Sequence, residues 1–452
     1  MKSLGLAAAL LLAGCASHQP LPLPAKSALA DDVARLQVDT ASMPTLALRA
    51  HRFDPSDGLD ITEVAMLAVA NNPELKALRV DAGVTRAQAF SAGLLPDPQF
   101  ALTRDSVLGS PAGASVAITT ALTLDVGALL ARSSTRTAND ADNRKTNLNL
   151  LWQEWQTVAK ARLLFVKLSA LAQSTALLDE QCATHQPRLD RTRTAVERGL
   201  IGSDVATPQL TALQDVERQR NDLERQTNQA RHDLNALLGV APDIALTLVG
   251  APDLPMLDAA QVQRALDQAG QRRPDLLALQ AGYAAEDARY RGALRAQFPA
   301  ITIGPNRARD TSNVDTVGFS LGITLPIFNR NRGNIAIELA TRDKLLLDYQ
   351  QRLNATASDA HRLLAEDAIL RRQRSAIDTA IGELGRVAGR AQSAFTARSI
   401  DALTLTNAES ALLAKRLERI AVAQALWEQA IALQALVGTE LVIPESLNTP
   451  NS

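Results

Sequence analysis

The 452-residue sequence lacks the residue patterns from which enzyme chemistry is usually inferred. Its five histidines are scattered, with no two at metal-ligand spacing, and it contains no Gly-rich phosphate loop. Its two cysteines, Cys15 and Cys182, provide no disulfide framework. The formal net charge is −1 with both signs interspersed, which removes the basis for nucleic-acid binding. We therefore expect no catalytic residues, no metal site, no enzyme activity and no nucleic-acid partner.

Long apolar runs are also missing. After residue 15, no apolar stretch approaches the ~20 residues that a transmembrane helix requires. Glycine and proline are almost absent between Ala128 and Ala195, with Pro187 as the exception. Helix-forming residues dominate this stretch and apolar residues recur every three or four positions, which predicts a packed helix about 100 Å long. A helix of this length is longer than any compact domain. Because no transmembrane helix is predicted after residue 15, any membrane-spanning part of the chain must consist of strands.

The N-terminus has the pattern of a secretion signal. Lys2 precedes an apolar run, Leu4 to Ala13, that is too short to span a bilayer. The run ends in residues 12–15 (LAGC), which resemble a bacterial lipobox, so we predict a covalent lipid on Cys15 and no other cofactor. Ala16 follows instead of Asp, which in lipoproteins favours sorting to the outer membrane. An ordinary signal peptide with an incidental cysteine is the alternative.

The sequence repeats itself with a period near 200 residues. The motif at Pro73 recurs 201 positions later at Pro274, and the motif ending at Gly239 recurs 199 positions later at Gly438. A near-constant register over most of the chain indicates a duplicated unit. The predicted organisation is a lipoprotein signal peptide (1–14), a lipidated extended leader (15–58), a first repeat (59–240), a linker (241–257), a second repeat (258–440) and a C-terminal tail (441–452).

Alternating segments lie at matching places in the two repeats. In 115–124 the even positions are mostly large and apolar, and in 317–325 every odd position is large and apolar between Gly, Ser and Thr. Each segment has an alternating partner just upstream, which gives predicted strands at about 97–106, 114–125, 299–308 and 315–326. Strands of ~10 residues with one apolar face fit a transmembrane β-barrel, with an aromatic girdle near the strand ends. The candidates for that girdle are Phe298, Phe319 and Phe328. A soluble hairpin that rests on a core is the alternative.

Four strands cannot form a closed barrel, because small closed barrels have about eight strands. Open sheet edges are not tolerated in lipid. If these strands span a membrane, several chains must contribute to one barrel. The sequence therefore predicts a homo-oligomer.

The lipobox, the duplicated helix–hairpin–helix plan and the motif at 325–335 (LPIFNRNRGNI) resemble the TolC-like outer-membrane factors. The resemblance covers roughly residues 59–440. It implies a mainly α fold with a pair of membrane β-hairpins, assembled as a homotrimer. Each chain would give four strands to a 12-stranded transmembrane β-barrel in outer-membrane lipid, and its helices would form an α-barrel tunnel in the periplasm. An inner-membrane pump would reach this tunnel through a periplasmic adaptor protein.

The same resemblance identifies contact residues at the periplasmic tips. The family turns usually carry a Gly followed by an Ile and an Asp, and they meet the adaptor. Residues 199–204 (GLIGSD) keep that pattern, whereas the second copy has Arg398 where Gly is expected. The implied adaptor contacts are Gly199, Leu200, Ile201, Ser399 and Ile400.

Acidic residues near the tips form a ring at the tunnel entrance in many relatives. In this chain the candidates for an entrance ring are Asp401 and Asp204, and a ring of carboxylates attracts cations. The alternative for both is a helix N-terminal aspartate that caps backbone N–H groups or complements the helix dipole.

The motif at 325–333 is closest to the branch that serves heavy-metal pumps of the resistance-nodulation-division type. We therefore predict an outer-membrane channel of a tripartite efflux pump that passes heavy-metal cations or drugs. A type I protein secretion channel is the alternative within the family. A lipid-anchored periplasmic adaptor is the alternative outside it, although an adaptor would carry one long helical hairpin between strand-rich domains.

Overall fold

The computed structural model describes residues 18–444 and 447, apart from 34–35, 110–112, 114 and 439–440. The predicted signal peptide and Cys15 lie outside the described residues. The helices are α1 Leu46–Ala50, α2 Ile61–Asn71, α3 Pro73–Ala92, α4 Val126–Glu197, α5 Ala206–Leu238, α6 Ala259–Asp267, α7 Ala269–Arg272, α8 Pro274–Arg295, α9 Arg332–Thr396 and α10 Ala402–Val437. The strands are β1 Gln99–Asp105, β2 Ala117–Asp125, β3 Ala300–Arg309 and β4 Asp315–Thr324.

The fold is mainly helical and duplicated, as the sequence predicts. Each repeat runs through a helix that begins at a proline, a β-hairpin, a very long helix and a shorter returning helix. With 72 residues, α4 is about 110 Å long at ~1.5 Å per residue. Both returning helices end at a glycine in the left-handed conformation, Gly239 with φ 66° and Gly438 with φ 63°.

In each repeat the two shorter helices meet end to end beside a long helix. The amide of Asn72, at the start of α3, donates to the carbonyl of Leu237 at the end of α5 (2.9 Å). At the matching place in the second repeat, the guanidinium of Arg273 donates to the carbonyl of Leu436 (2.9 Å). We call these two meeting points the first joint and the second joint. They allow two short helices to accompany one long helix along most of its length.

The largest hydrophobic core surrounds α2 at the level of the first joint. It packs Met66, Trp155, Phe165, Leu238 and Ile431 together, and all five are almost fully buried. Its residues come from both repeats, so this core holds the two halves of the chain together.

Two helices contain apolar segments that the sequence analysis underestimated. By length and composition alone, α4 and α10 each include an 18-residue window apolar enough to cross a membrane, and 44% of each window is buried. Many of these apolar residues belong to the cores between helices, which accounts for their hydrophobicity without a membrane.

The strands form one antiparallel sheet in the order β1-β2-β3-β4. The hairpins β1–β2 and β3–β4 are local, whereas β2–β3 joins the two repeats. At this seam, a Cβ on Gly304 would lie 1.7 Å from the carbonyl oxygen of Leu122, so only glycine fits.

Some element limits differ from the sequence prediction. At the start of the second repeat the chain forms two helices, α6 and α7, divided at Gln268, which has φ −102° and ψ 1°. No proline lies inside this segment to predict the interruption. Phe319 lies in the middle of β4 and not near a strand end, whereas Phe298 and Phe328 lie just outside β3 and β4.

Candidate functional site

The outer face of the sheet is mostly apolar, with Arg104, Thr120 and Arg307 on it toward the far end of the hairpins. The even positions of β1 and β2 and the odd positions of β3 and β4 share this face, because Phe100 pairs with Leu122 and Ile303 pairs with Leu321. The large apolar side chains are between 38% and 82% exposed: Phe100, Leu102, Ile118, Leu122, Ile301, Val317, Phe319, Leu321 and Ile323. We call this surface the apolar belt.

Charges delimit the apolar belt at the far end of the hairpins. Arg309 and Asp315 pair across β3 and β4, next to the β3–β4 turn, and form a salt bridge (2.8 Å). From Val317 to Leu325, an exposed residue one position past the end of β4, the large apolar odd positions cover about 27 Å along the chain at ~3.4 Å per residue. A strand tilted by ~40° would give a height of about 20 Å, close to the ~25 Å apolar band of outer-membrane barrels.

The opposite face of the sheet is small and polar. In β4 it consists of Thr316, Gly318, Ser320, Gly322 and Thr324. The outer strands β1 and β4 each have one edge that pairs with no described strand. The exposed apolar face is unfavourable in water, and the two unpaired edges are unfavourable in lipid. The sheet of a single chain is therefore incomplete in either environment.

At the opposite end of the chain, the two tips have nearly identical backbone turns. Gly199 has φ 69° and its N–H donates to the carbonyl of Val196 (2.9 Å). Arg398 has φ 57° and its N–H donates to the carbonyl of Phe395 (2.9 Å), at the same offset of 199 residues. The arginine therefore keeps the turn that the family pattern assigns to glycine, although left-handed backbone costs an L-residue roughly 1–2 kcal/mol.

The predicted tip residues differ in exposure. Gly199 and Ser399 are exposed, Leu200 is 71% exposed, and Ile400 is half-buried. Ile201 is 38% exposed. The apolar side chains of Leu200 and Ile201 thus face outward with no core against them.

Asp401 is the N-cap of α10. Its carboxylate accepts a hydrogen bond from the backbone N–H of Thr404 (2.8 Å), which matches the capping alternative of the sequence analysis. The hydrogen bonds from Thr404 lower the pKa of Asp401. Asp204 lies in a short 3₁₀ turn, Ser203–Val205, and its side chain lies outside what the structure describes.

An ion pair that the sequence analysis did not identify connects the tips. Arg188 of α4 forms two hydrogen bonds with Glu409 of α10 (2.5 and 2.9 Å) and a third with Gln392 of α9 (3.2 Å). Next to this pair, His185 is buried, and burial lowers its pKa. No sequence signal indicates this pair, because the residues lie 221 positions apart.

The second joint contains a buried ionic cluster. Arg273 forms a two-point pair with Asp275 (3.0 and 2.7 Å) and lies over the ring of Trp152 (4.9 Å to the centroid). Arg352 of α9 donates to the same carboxylate (2.7 Å). Burial alone would raise the pKa of Asp275, but the two guanidinium groups outweigh burial and hold it below the ordinary value. The sequence analysis used only the neighbouring Pro274, as a marker of the repeat.

A second buried carboxylate lies closer to the sheet. Glu286 of α8 is buried, and its Oε1 has no hydrogen-bond partner among the residues that the structure describes. Burial first, and then the nearby carboxyl of Glu338, raise the pKa of Glu286. Arg289 partly balances this charge at 3.3 Å, but it also pairs with Asp142.

One group in the described part of the chain has side chains that could hold a metal ion: His51, Asp60 and Glu63, with ligand atoms within 4.8 Å. The two carboxylates already form the capping box of α2. Asp60 accepts from the N–H of Glu63 (2.8 Å), and Glu63 accepts from the N–H of Asp60 (3.0 Å). The positive end of the helix dipole also disfavours a cation at this place. The geometry is that of a helix cap.

Known proteins share both sequence and fold with this chain. Residues 265–439, most of the second repeat, match the family model described as outer membrane efflux protein. The chain is similar to the outer membrane protein OprJ of Pseudomonas aeruginosa, with 28% identity over 196 residues. That match spans 40% of this chain and only 40% of OprJ.

Among solved structures, the outer membrane channel CmeC of Campylobacter jejuni has a TM-score of 0.74, with 13% identity and 94% of both chains covered. CusC, whose structures concern folding and transmembrane channel formation, has a TM-score of 0.69 at 17% identity. The structural match covers 91% of this chain and 99% of CusC. At these identities the likeness shows the fold.

The family signature lies in the second repeat, the first repeat follows the same plan, and the channel fold extends over more than nine-tenths of the residues. The second repeat therefore matches the outer membrane efflux protein family, and the chain as a whole has the fold of the solved outer-membrane channels.

Proposed function

We propose that the protein is the outer-membrane channel of a tripartite efflux pump. The observation that supports this most directly is the apolar belt on an open four-stranded sheet, carried by helices about 100 Å long. Three copies would supply twelve strands, close the edges and direct the apolar belt to lipid. The helices would then surround a periplasmic tunnel, and the tips would meet an adaptor that connects to a resistance-nodulation-division pump.

A matched pair of substitutions tests the membrane assignment. Leu321→Asp places a charge in the apolar belt, and Ser320→Asp places the same charge one residue away on the polar face. A charge on the lipid face is unfavourable near the bilayer midplane, by about 2–4 kcal/mol for Arg or Lys and by less for Asp, whereas the inner face of a barrel accepts it. We expect Leu321→Asp to abolish heat-modifiable trimer in the outer-membrane fraction and Ser320→Asp to retain it. Normal trimer from Leu321→Asp would contradict the assignment.

The substrate is the second part of the proposal. On the motif at 325–333 we propose heavy-metal cations, with drugs as the other candidate class. The test compares a deletion strain with its complemented strain on a panel of divalent metals, dyes and antibiotics. Sensitivity confined to metals would support the metal class, and sensitivity to dyes and antibiotics would replace it with drugs.

Lipidation of Cys15 is also a proposal. A radiolabelled palmitate precursor should label the wild-type protein and not a Cys15→Ser variant. Equal labelling of the two proteins would refute it.

A further inference from the structure

A groove lined by arginine side chains lies between the two tips. It has a volume of about 730 Å³ and is open to solvent. The lining residues used below are Pro187, Arg188 and Arg191 of α4, and Phe395, Arg398 and Ile400 from the end of α9 and its turn. We call it the tip groove. None of its lining residues is an aspartate or a glutamate.

Two of the three arginines form no ion pair with a residue that the structure describes. Arg188 is committed to Glu409. Arg191 donates its Nε–H to the carbonyl of Pro187 (3.1 Å), and neither Arg191 nor Arg398 is ion-paired with any residue that the structure describes. The tip groove therefore has an excess of positive charge beside the apolar side chains of Phe395 and Ile400.

The backbone at Arg398 adds an independent observation. The first tip makes the same turn with Gly199, which adopts left-handed backbone without strain. Arg398 adopts it at φ 57° and pays a conformational penalty that glycine would avoid. Residues with strained backbone cluster at binding sites, and the side chain of Arg398 lines the tip groove.

We propose that the tip groove binds a carboxylate on the tip of the adaptor's helical hairpin, with Arg191 and Arg398 as its ligands. Guanidinium groups recognise carboxylates through paired, charge-assisted hydrogen bonds. Phe395 and Ile400 would cover apolar residues beside that acid. This inference rests on the proposed function, because it specifies the chemistry of the adaptor that the channel meets.

The substitution Arg398→Gly separates this role from a structural one. It removes the guanidinium and leaves a residue that suits the turn, so the tip should fold at least as well as before. Arg191→Gln removes the second ligand from α4. Arg193→Gln, two residues along the same helix and outside the groove lining, is the matched control.

The test uses the full-length protein in detergent and three labelled helical-hairpin peptides that differ only in a Glu, Gln or Lys at the tip. We expect the Glu hairpin to bind about tenfold more tightly than the Gln hairpin at low salt, and the Lys hairpin to bind least. Arg398→Gly and Arg191→Gln should remove the preference for Glu, and Arg193→Gln should keep it.

Equal binding of the Glu and Gln hairpins, or a preference that survives Arg398→Gly and Arg191→Gln, would overturn the proposal. Displacement of the Glu hairpin by inorganic phosphate at equal ionic strength would also overturn it, since the groove would then be a general anion site. Failure of the channel proposal would instead be seen in the trimer and susceptibility experiments, which do not depend on these peptides.

Discussion

Replacement of Asp275 by asparagine should destabilise the protein at neutral pH by about 3–4 kcal/mol. The carboxylate is the shared acceptor of two guanidinium groups at the second joint. The side chains of Arg273 and Asp275 are only 3% and 8% exposed, so the variant leaves a buried arginine without its counter-charge. Removal of one partner of a buried pair costs about 3–5 kcal/mol, and the amide oxygen that remains reduces the loss.

The contribution of Arg352 to this total is small. Its side chain is 45% exposed, so water and salt screen its charge, and its share should stay below about 1 kcal/mol. Most of the loss therefore comes from Arg273, which also holds the carbonyl of Leu436 at the end of α10.

The assay is urea unfolding of the detergent-solubilised protein, followed by helical circular dichroism between neutral and acid pH. The folded-state pKa of Asp275 lies below its ordinary value of 3.8, so its stabilising contribution is present above 3.8 and is lost as the pH falls through the folded pKa. The gap between wild type and Asp275→Asn should therefore close in acid.

Two further variants make the test specific. Glu74→Gln changes the matching position of the first repeat, which is exposed, and should shift stability by less than about 0.5 kcal/mol. The double variant Arg273→Met with Asp275→Leu removes both charges and should recover most of the stability. A loss below 1 kcal/mol for Asp275→Asn at neutral pH, or a gap that persists in strong acid, would refute the reasoning.

Three further predictions concern single side chains. Because the pKa of Glu286 is raised in the folded protein, the free energy of unfolding is highest below the ordinary glutamate pKa of 4.5 and declines as the pH rises toward the folded-state pKa. Glu286→Gln should therefore raise the melting temperature at neutral pH but not at pH 4.5. Gly304→Ala should prevent recovery from the outer membrane, because the new methyl group would overlap the carbonyl of Leu122. Gly239→Ala should cost more than 1 kcal/mol in urea unfolding, since it combines φ 66° with a contact of 2.7 Å to the carbonyl of Asn71.

Each of these variants has a control. Glu338→Gln should give a smaller gain than Glu286→Gln, because it relieves the repulsion between the two carboxyls but leaves Glu286 buried. Gly318→Ala meets only the mobile side-chain oxygen of Asn306 and should be recovered normally. Gly250→Ala has φ 79° but no atom within 4 Å, so it measures the backbone penalty alone. Equal effects of Gly239→Ala and Gly250→Ala would show that the first joint tolerates the added methyl group.

The fold was predictable because the patterns that indicate it are local in the sequence and occur in both repeats. The alternation in β4 and the long glycine-poor stretch of α4 are periodic patterns that require no knowledge of the partner residues. The offset near 200 residues then assigns the same plan to both repeats. The break at Gln268 was not predictable, because it depends on how α6 and α7 pack and not on a breaker residue.

The candidate site was predictable only in part. The tip turns were found from Gly199 and from the pattern around Ile400. Arg398 was recognised as a departure, but its left-handed backbone and its place in the tip groove required coordinates. The ion pair of Arg188 with Glu409 joins residues far apart in the chain, and one sequence carries no signal for such a contact.

The seam between β2 and β3 has a consequence for the order of folding. Each hairpin joins strands that lie close together in the chain, but the seam pairs Ile118 with Arg309, 191 residues apart. Contacts at such separation form late, because a long loop must first be closed. The packing of α4, which follows β2, against α8, which precedes β3, closes most of that loop before the strands meet. The helical rods are therefore the template on which the four strands are assembled, and we expect the helical part of the chain to fold before the sheet that carries the apolar belt.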